Sequence, residues 1–75
     1  MEKTKIGVIG LGWIAQVVHL PILSKLQEAD LVAVCDLDKS RARLVAEKFG
    51  VKRLYTDAQQ MLAQEDIAAV IVCTS

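Results

Sequence analysis

Four short apolar runs alternate with three segments of helical periodicity, and few folds accept that order. Lys5 to Gly10, Asp30 to Asp36 ("DLVAVCD"), Arg53 to Thr56 and Ile67 to Cys73 ("IAAVIVC") read as strands. The second and fourth are apolar almost throughout, as expected of strands covered on both faces of a parallel sheet. From Gly12 the period changes. Ala15, Val18, Ile22 and Leu26 follow i, i+3, i+7, i+11 and predict one buried helix face. Pro21 should bend that helix or split its hydrogen bonding without changing the face. In the next helix Asp38 is the expected N-cap, Ala42, Val45, Ala46 and Phe49 form the apolar stripe, and Gly50 stands just past the end. "TDAQ" matches a capping box, with Thr56 as cap and Gln59 reaching back, before a short helix ending near Gln64.

The order βαβαβαβ predicts an α/β fold, a doubly wound parallel sheet joined by right-handed crossovers; the strand order 3-2-1-4 is expected from the glycine turn that joins the first strand to the first helix, which belongs to that topology. Cys35 and Cys73 would then end strands two and four, on either side of strand one. Two strand spacings are about 9 to 10 Å, whereas a disulfide needs Cα atoms within about 7 Å, so the thiols should stay unlinked. The fourth strand forms an edge with no charge or proline to protect it. Its Val70 and Val72 side chains are expected to be buried.

A chain of 75 residues suffices for one compact unit, residues 1–75, that buries roughly 60 to 65% of the surface its unfolded form exposes. Nine basic and nine acidic residues cancel, which argues against a nucleic-acid or membrane surface, since both favour a clustered cationic excess. No stretch approaches the roughly 18 apolar residues of a membrane span, and the charged "MEKTK" does not resemble a secretory leader. A cytoplasmic location is the expectation. Neither cysteine lies in a CxxC or Cys/His spacing, so no metal site is expected.

The stretch "KIGVIGLGWIAQ" places Gly10, Gly12 and Ala15 in G-x-G-x-x-A, between a strand and a helix. Glycine inside an element costs about 0.5 to 1 kcal/mol against alanine, and a Rossmann-like strand-to-helix turn offsets it. Gly10 permits the tight turn, Gly12 leaves room for a pyrophosphate at the helix N-terminus, and Ala15 lets the helix lie close to the strand. Asp36 follows Gly10 by 26 residues, at the end of the second strand, where a carboxylate can accept hydrogen bonds from an adenosine ribose. Its charge would repel a 2′-phosphate and favours NAD. Lys39, Arg41 and Arg43 read as a solvated helix face, although a cation there could accommodate NADP.

With these residues assembled, the chain resembles the N-terminal part of the Gfo/Idh/MocA family of NAD(P)-dependent oxidoreductases. The matching stretches are "IGVIGLGWIAQVVHLPIL", "VAVCDLDKSRARLVAEKFG" and "LYTDAQQMLAQEDIAAVIVCTS". The resemblance implies a parent enzyme that transfers a hydride between nicotinamide and a sugar, inositol or related polyol. It also implies a second α/β domain, absent from this chain, that binds this small-molecule substrate, and a homo-oligomeric parent. The family's catalytic lysine lies in a later Glu-Lys-Pro motif, so no catalytic residue is assigned here and the chain alone should be inactive. By family position Leu11, Trp13 and Ile14 join Gly10, Gly12 and Ala15 around the pyrophosphate, while Thr74 and Ser75 face the cofactor across the cleft. Trp13 reads equally as an apolar residue that the second domain would cover. His19 is expected to pack or cap its helix. A non-catalytic nucleotide- or redox-sensing module is the alternative function, and a methyltransferase fold is disfavoured by the "HLP" segment.

Overall fold

Each apolar run becomes a strand of a single parallel sheet in the computed structural model, which describes residues 3–13 and 15–73. The strands are β1 (Thr4–Ile9), β2 (Ala29–Cys35), β3 (Arg53–Tyr55) and β4 (Ala69–Val72), and their order is β3-β2-β1-β4. The intervening helices are α1 (Leu20–Lys25), entered through a π-helical turn at Ala15–His19, then α2 (Lys39–Phe49) and α3 (Ala58–Gln64). This is the expected doubly wound topology, with element boundaries shifted by one or two residues.

Alternation along β1 divides the interior into two cores. Ile6 and Val8 meet Val34 of β2 beneath the first two helices, where Leu11, Ala15, Leu20, Val45 and Ala46 are buried. Leu11 and Leu20 are fully enclosed, and each such side chain contributes up to about 1.5 to 3 kcal/mol. On the opposite face Ala33 and Cys35 pack with Met61 of α3. Gly7 belongs to that face, where a Cβ would stand 2.8 Å from Ile67 Cδ1 and 3.0 Å from Met61 Cε. The glycine inside the strand thus makes room for α3 and the segment leading into β4. Glu65 closes this side, accepting a hydrogen bond from the Tyr55 hydroxyl and lying 3.4 Å from Arg53 Nε.

The β1–β2 ladder contains an irregularity. Ile6 pairs with Leu31, but Gly7 pairs with Ala33. Val32 is the extra residue, a bulge that puts two residues of β2 opposite one step of β1. Beyond it the offset between the strands is constant, and Ile9 stands beside Cys35.

Three expectations need correction. The first helix does not bury Val18, Ile22 and Leu26, which are 40, 55 and 45% exposed; its inward residues are Ala15, Leu20 and Leu23. The π-helical turn is the cause, because its wider i to i+5 spacing brings Leu20 beneath Ala15 and rotates the rest of the helix. The same widening relieves Pro21, which stands in the first turn of α1 where a missing N–H is least harmful. The cap of α3 is Asp57, not Thr56. Its carboxylate accepts from the N–H groups of Gln59 at 2.9 Å and Gln60 at 3.4 Å, and its charge suits the positive end of the helix. Finally, Val70 and Val72 are exposed, at 38 and 62%. They share a face with Gly7 and Ile9 through the register, but α3 packs over β2 and β3 and leaves that end of the sheet uncovered. The α2 assignments hold: Asp38 accepts from Arg41 N–H, Gly50 is left-handed at φ 68°, and Ala42, Val45 and Ala46 are buried. No helix among the described residues is long and apolar enough to cross a membrane.

β4 is thus an uncovered edge carrying exposed valines, the arrangement that favours strand-to-strand association. The 75-residue chain should self-associate, and Val72→Lys should make it more monomeric. Sedimentation velocity of the two proteins at equal concentration checks this, and an unchanged distribution would remove β4 as the cause.

Candidate functional site

The carboxyl ends of β1 and β2 open into a cavity of about 360 Å³, bordered by Gly10, Gly12, Asp36, Leu37, Arg41 and Thr56. It lies where the sheet order reverses, with β1 between β2 and β4, the place in open parallel sheets where ligands bind. A second concavity, of about 550 Å³, lies at the opposite end among Lys3, Lys5, Asp30 and Asp66. Its Lys5–Asp66 pair is exposed and 3.3 Å apart, a solvated contact that positions little.

Gly10 begins the turn out of β1. Its N–H donates to Cys35 O at 2.8 Å, its φ is 89°, and a Cβ would fall 2.1 Å from Cys73 O. Two independent constraints, a left-handed backbone and contact with a neighbouring carbonyl, therefore require glycine. Leu11 follows and is held on three sides. Its side chain is fully buried, its N–H donates to Asp36 Oδ2 at 2.8 Å, and its carbonyl accepts from Gln16 Nε2 at 2.9 Å. Asp36 Oδ1 accepts from Asp38 N–H at 2.8 Å. Arg41 Nη1 stands 3.8 Å from Asp36 Oδ2, with the aspartate side chain 10% exposed.

Among the expected site residues, Gly10, Leu11, Gly12 and Asp36 come together at the cavity. Leu11 offers only backbone, since its side chain anchors the core. Ala15 is buried beneath the turn, and Trp13 projects outward at 72% exposure. Ile14, Thr74 and Ser75 lie outside the described residues. His19 is exposed and stands at the N-cap position of α1 without a side-chain cap hydrogen bond, so it occupies the expected place but does not pack. Arg41 departs from a simple solvated face, because the first turn of α2 points it back toward Asp36; Lys39 and Arg43 remain exposed. The sequence reading missed Gln16, Leu37 and Thr56. Leu37 had a signal, an apolar residue in the polar turn "DLDK", and it is 93% exposed beside Asp36. Gln16 had none, because its role depends on folding back over a turn.

Cys35 and Cys73 are free thiols on opposite sides of β1. Burial pushes both thiols above their ordinary value, and for Cys35 the charges of Asp36 and Asp57 add to it. The ionised form is the nucleophile, so both should react slowly with iodoacetamide near neutral pH. The unfolded thiols ionise first as the pH rises, so this contribution to stability is intact below the ordinary thiol value of 9.0 and is lost above it. Alkylation followed by mass spectrometry, with and without urea, measures the protection; equal rates in both would contradict it. The two left-handed glycines give a second test. Gly50→Ala meets no atom within 4 Å and should lose about 1 kcal/mol. Gly10→Ala should lose about 3 kcal/mol or more, because backbone strain and overlap combine. Urea denaturation of both variants compares them directly.

The fit to a dinucleotide rests on these groups: a backbone turn at Gly10 and Gly12, and beside it a carboxylate and a guanidinium lining the same cavity. Comparison with known proteins agrees. Residues 4–75 match the Gfo/Idh/MocA profile, described as an oxidoreductase family with an NAD-binding Rossmann fold. The chain is 38% identical over 71 residues to a myo-inositol 2-dehydrogenase of Thermotoga maritima, covering 95% of this chain and 21% of that protein. It superposes with a TM-score of 0.88 and 27% identity on scyllo-inositol dehydrogenase from Lactobacillus casei, a structure holding NAD(H) and scyllo-inositol, over 99% of this chain and 22% of the other. A 3-ketoreductase from Actinomadura kijaniata, solved with NADP, also superposes with a TM-score of 0.88 at 27% identity, over 97% of this chain and 23% of the other. The chain spans about one fifth of the length of these relatives.

Proposed function

This chain belongs to the Gfo/Idh/MocA oxidoreductase family as an NAD-binding Rossmann domain, and we propose that it holds the cofactor of a dehydrogenase acting on a sugar, inositol or related polyol. The observation that carries this reading is the meeting of the glycine turn and Asp36 at one cavity, joined by the 2.8 Å bond from Leu11 N–H to Asp36 Oδ2. The cofactor, when bound, accepts or supplies the hydride, while the protein fixes its orientation. Backbone at Gly10 and Gly12 receives the pyrophosphate. The lone pairs of Asp36 not used by Leu11 and Asp38 accept from ribose hydroxyls. Arg41 offsets the aspartate charge, so that NADP is disfavoured less than an isolated carboxylate would require. The exposed Leu37 supplies an apolar surface for the adenine at the same end. Substrate contacts and catalysis belong to the rest of the parent enzyme, in keeping with relatives named as inositol and sugar dehydrogenases.

Titration with NADH tests the reading through Trp13, the only tryptophan and adjacent to the turn. Quenching of its emission should saturate in the wild type and be absent in a folded Gly12→Val variant, whose branched side chain would occupy the pyrophosphate position. The chain alone should turn over no polyol. Equal NADH affinity in the two proteins would show that Gly12 serves packing only, and dehydrogenase activity from the purified chain would contradict the division of labour.

A further inference from the structure

We infer that Asp36 and Gln16 are positioning residues that clamp the Leu11 peptide, and that Asp36 therefore supports binding of the phosphates common to NAD and NADP as well as the ribose. The inference rests on the dinucleotide reading above. A carboxylate that only read the ribose would need a free face toward the cavity and nothing else. Here both oxygens are engaged by the chain itself: Oδ2 by Leu11 N–H from the glycine turn, Oδ1 by Asp38 N–H from the turn into α2, each at 2.8 Å. One side chain thereby joins the two loops that frame the cavity.

Gln16 completes the clamp from the other side. Its amide donates to Leu11 O at 2.9 Å, and its own N–H donates to Gly12 O at 3.1 Å, so it is fixed by the helix it opens. The Leu11 side chain is sealed in the core. The peptide between the two motif glycines thus has its N–H, its carbonyl and its side chain all restrained, on a stretch where glycine would otherwise leave the backbone free. Phosphate binding by backbone N–H groups depends on their direction, and a turn that wanders loses the ligand through ordering entropy. Gln16 has no part in ribose recognition, which makes it an independent probe of the clamp.

The experiment compares wild type, Asp36→Ala, Asp36→Asn and Gln16→Met by calorimetric titration with NAD and with an NAD analogue whose adenosine carries neither 2′- nor 3′-hydroxyl. The analogue removes the ribose contacts and leaves the phosphates. Asp36→Ala should weaken both ligands, the analogue by about tenfold, the scale of one charge-assisted hydrogen bond. Asp36→Asn can accept from only one of the two N–H groups and should fall between. Gln16→Met should weaken both ligands to a similar extent. In ¹⁵N–¹H spectra the Leu11 amide proton should move upfield in Asp36→Ala, and the Asp38 amide with it, a signature that general loss of stability does not produce in these two residues alone. The clamp is overturned if Asp36 substitution weakens NAD but not the analogue, or if Gln16→Met changes neither. Should wild type bind neither ligand, the dinucleotide reading fails, and the Leu11 and Asp38 resonances still decide the clamp. If Asp36→Ala does not fold, Asp36→Asn and Gln16→Met carry the same comparisons.

Discussion

The pairing of β1 with β2 in one register is the constraint on which the site depends. After the bulge at Val32, Ile9 stands beside Cys35, and the next residue on each strand is Gly10 and Asp36. Because the strands are parallel, both emerge at the same end and at the same height. That alone brings a backbone turn and a carboxylate within hydrogen-bonding distance, as Leu11 N–H and Asp36 Oδ2 show. A slip by one residue would turn every β2 side chain to the other face and bury the carboxylate or remove it from the turn.

Charge at the site is arranged around the same register. Asp36 is nearly enclosed, and an enclosed carboxylate requires donors. Two backbone N–H groups and the more distant Arg41 guanidinium provide them. These groups satisfy the carboxylate before a ligand arrives, so it need not be hydrated or turned away. The guanidinium also brings a positive charge to a region where the aspartate alone would present only a negative one.

Topology was legible in the sequence because it follows from alternation, which survives small errors in element ends. The α2 stripe with Asp38 and Gly50 needed only periodicity and capping rules, while the strand order and the convergence of Gly10 with Asp36 also needed the G-x-G-x-x-A motif and the topology that goes with it. The first helix was not legible. A π-helical turn leaves no mark in an i, i+3, i+7 count, and Val18, Ile22 and Leu26 satisfied that count while facing outward. The cap of α3 was ambiguous between adjacent residues, and the charged Asp57 took the place given to Thr56. Burial at Val70 and Val72 depended on where α3 lies across the sheet, which their own sequence does not encode. Gln16 became visible only once a turn had been placed in space, and the helix start singled out Arg41 from among Lys39, Arg41 and Arg43.

The bulge at Val32 has a consequence for chain length. Strand pairing before it follows one offset and pairing after it another, with the extra residue absorbed at Val32. Insertions or deletions in the connection from Lys25 to Ala29 can therefore be taken up without moving the cavity. The three residues from Ala33 to Cys35 have no such freedom, since each is tied to a rung against β1, and Asp36 follows them directly beside the glycine turn. The fixed ruler of this site is that short count from the bulge, and the longer separation between glycine motif and aspartate is free to vary as the chain diverges.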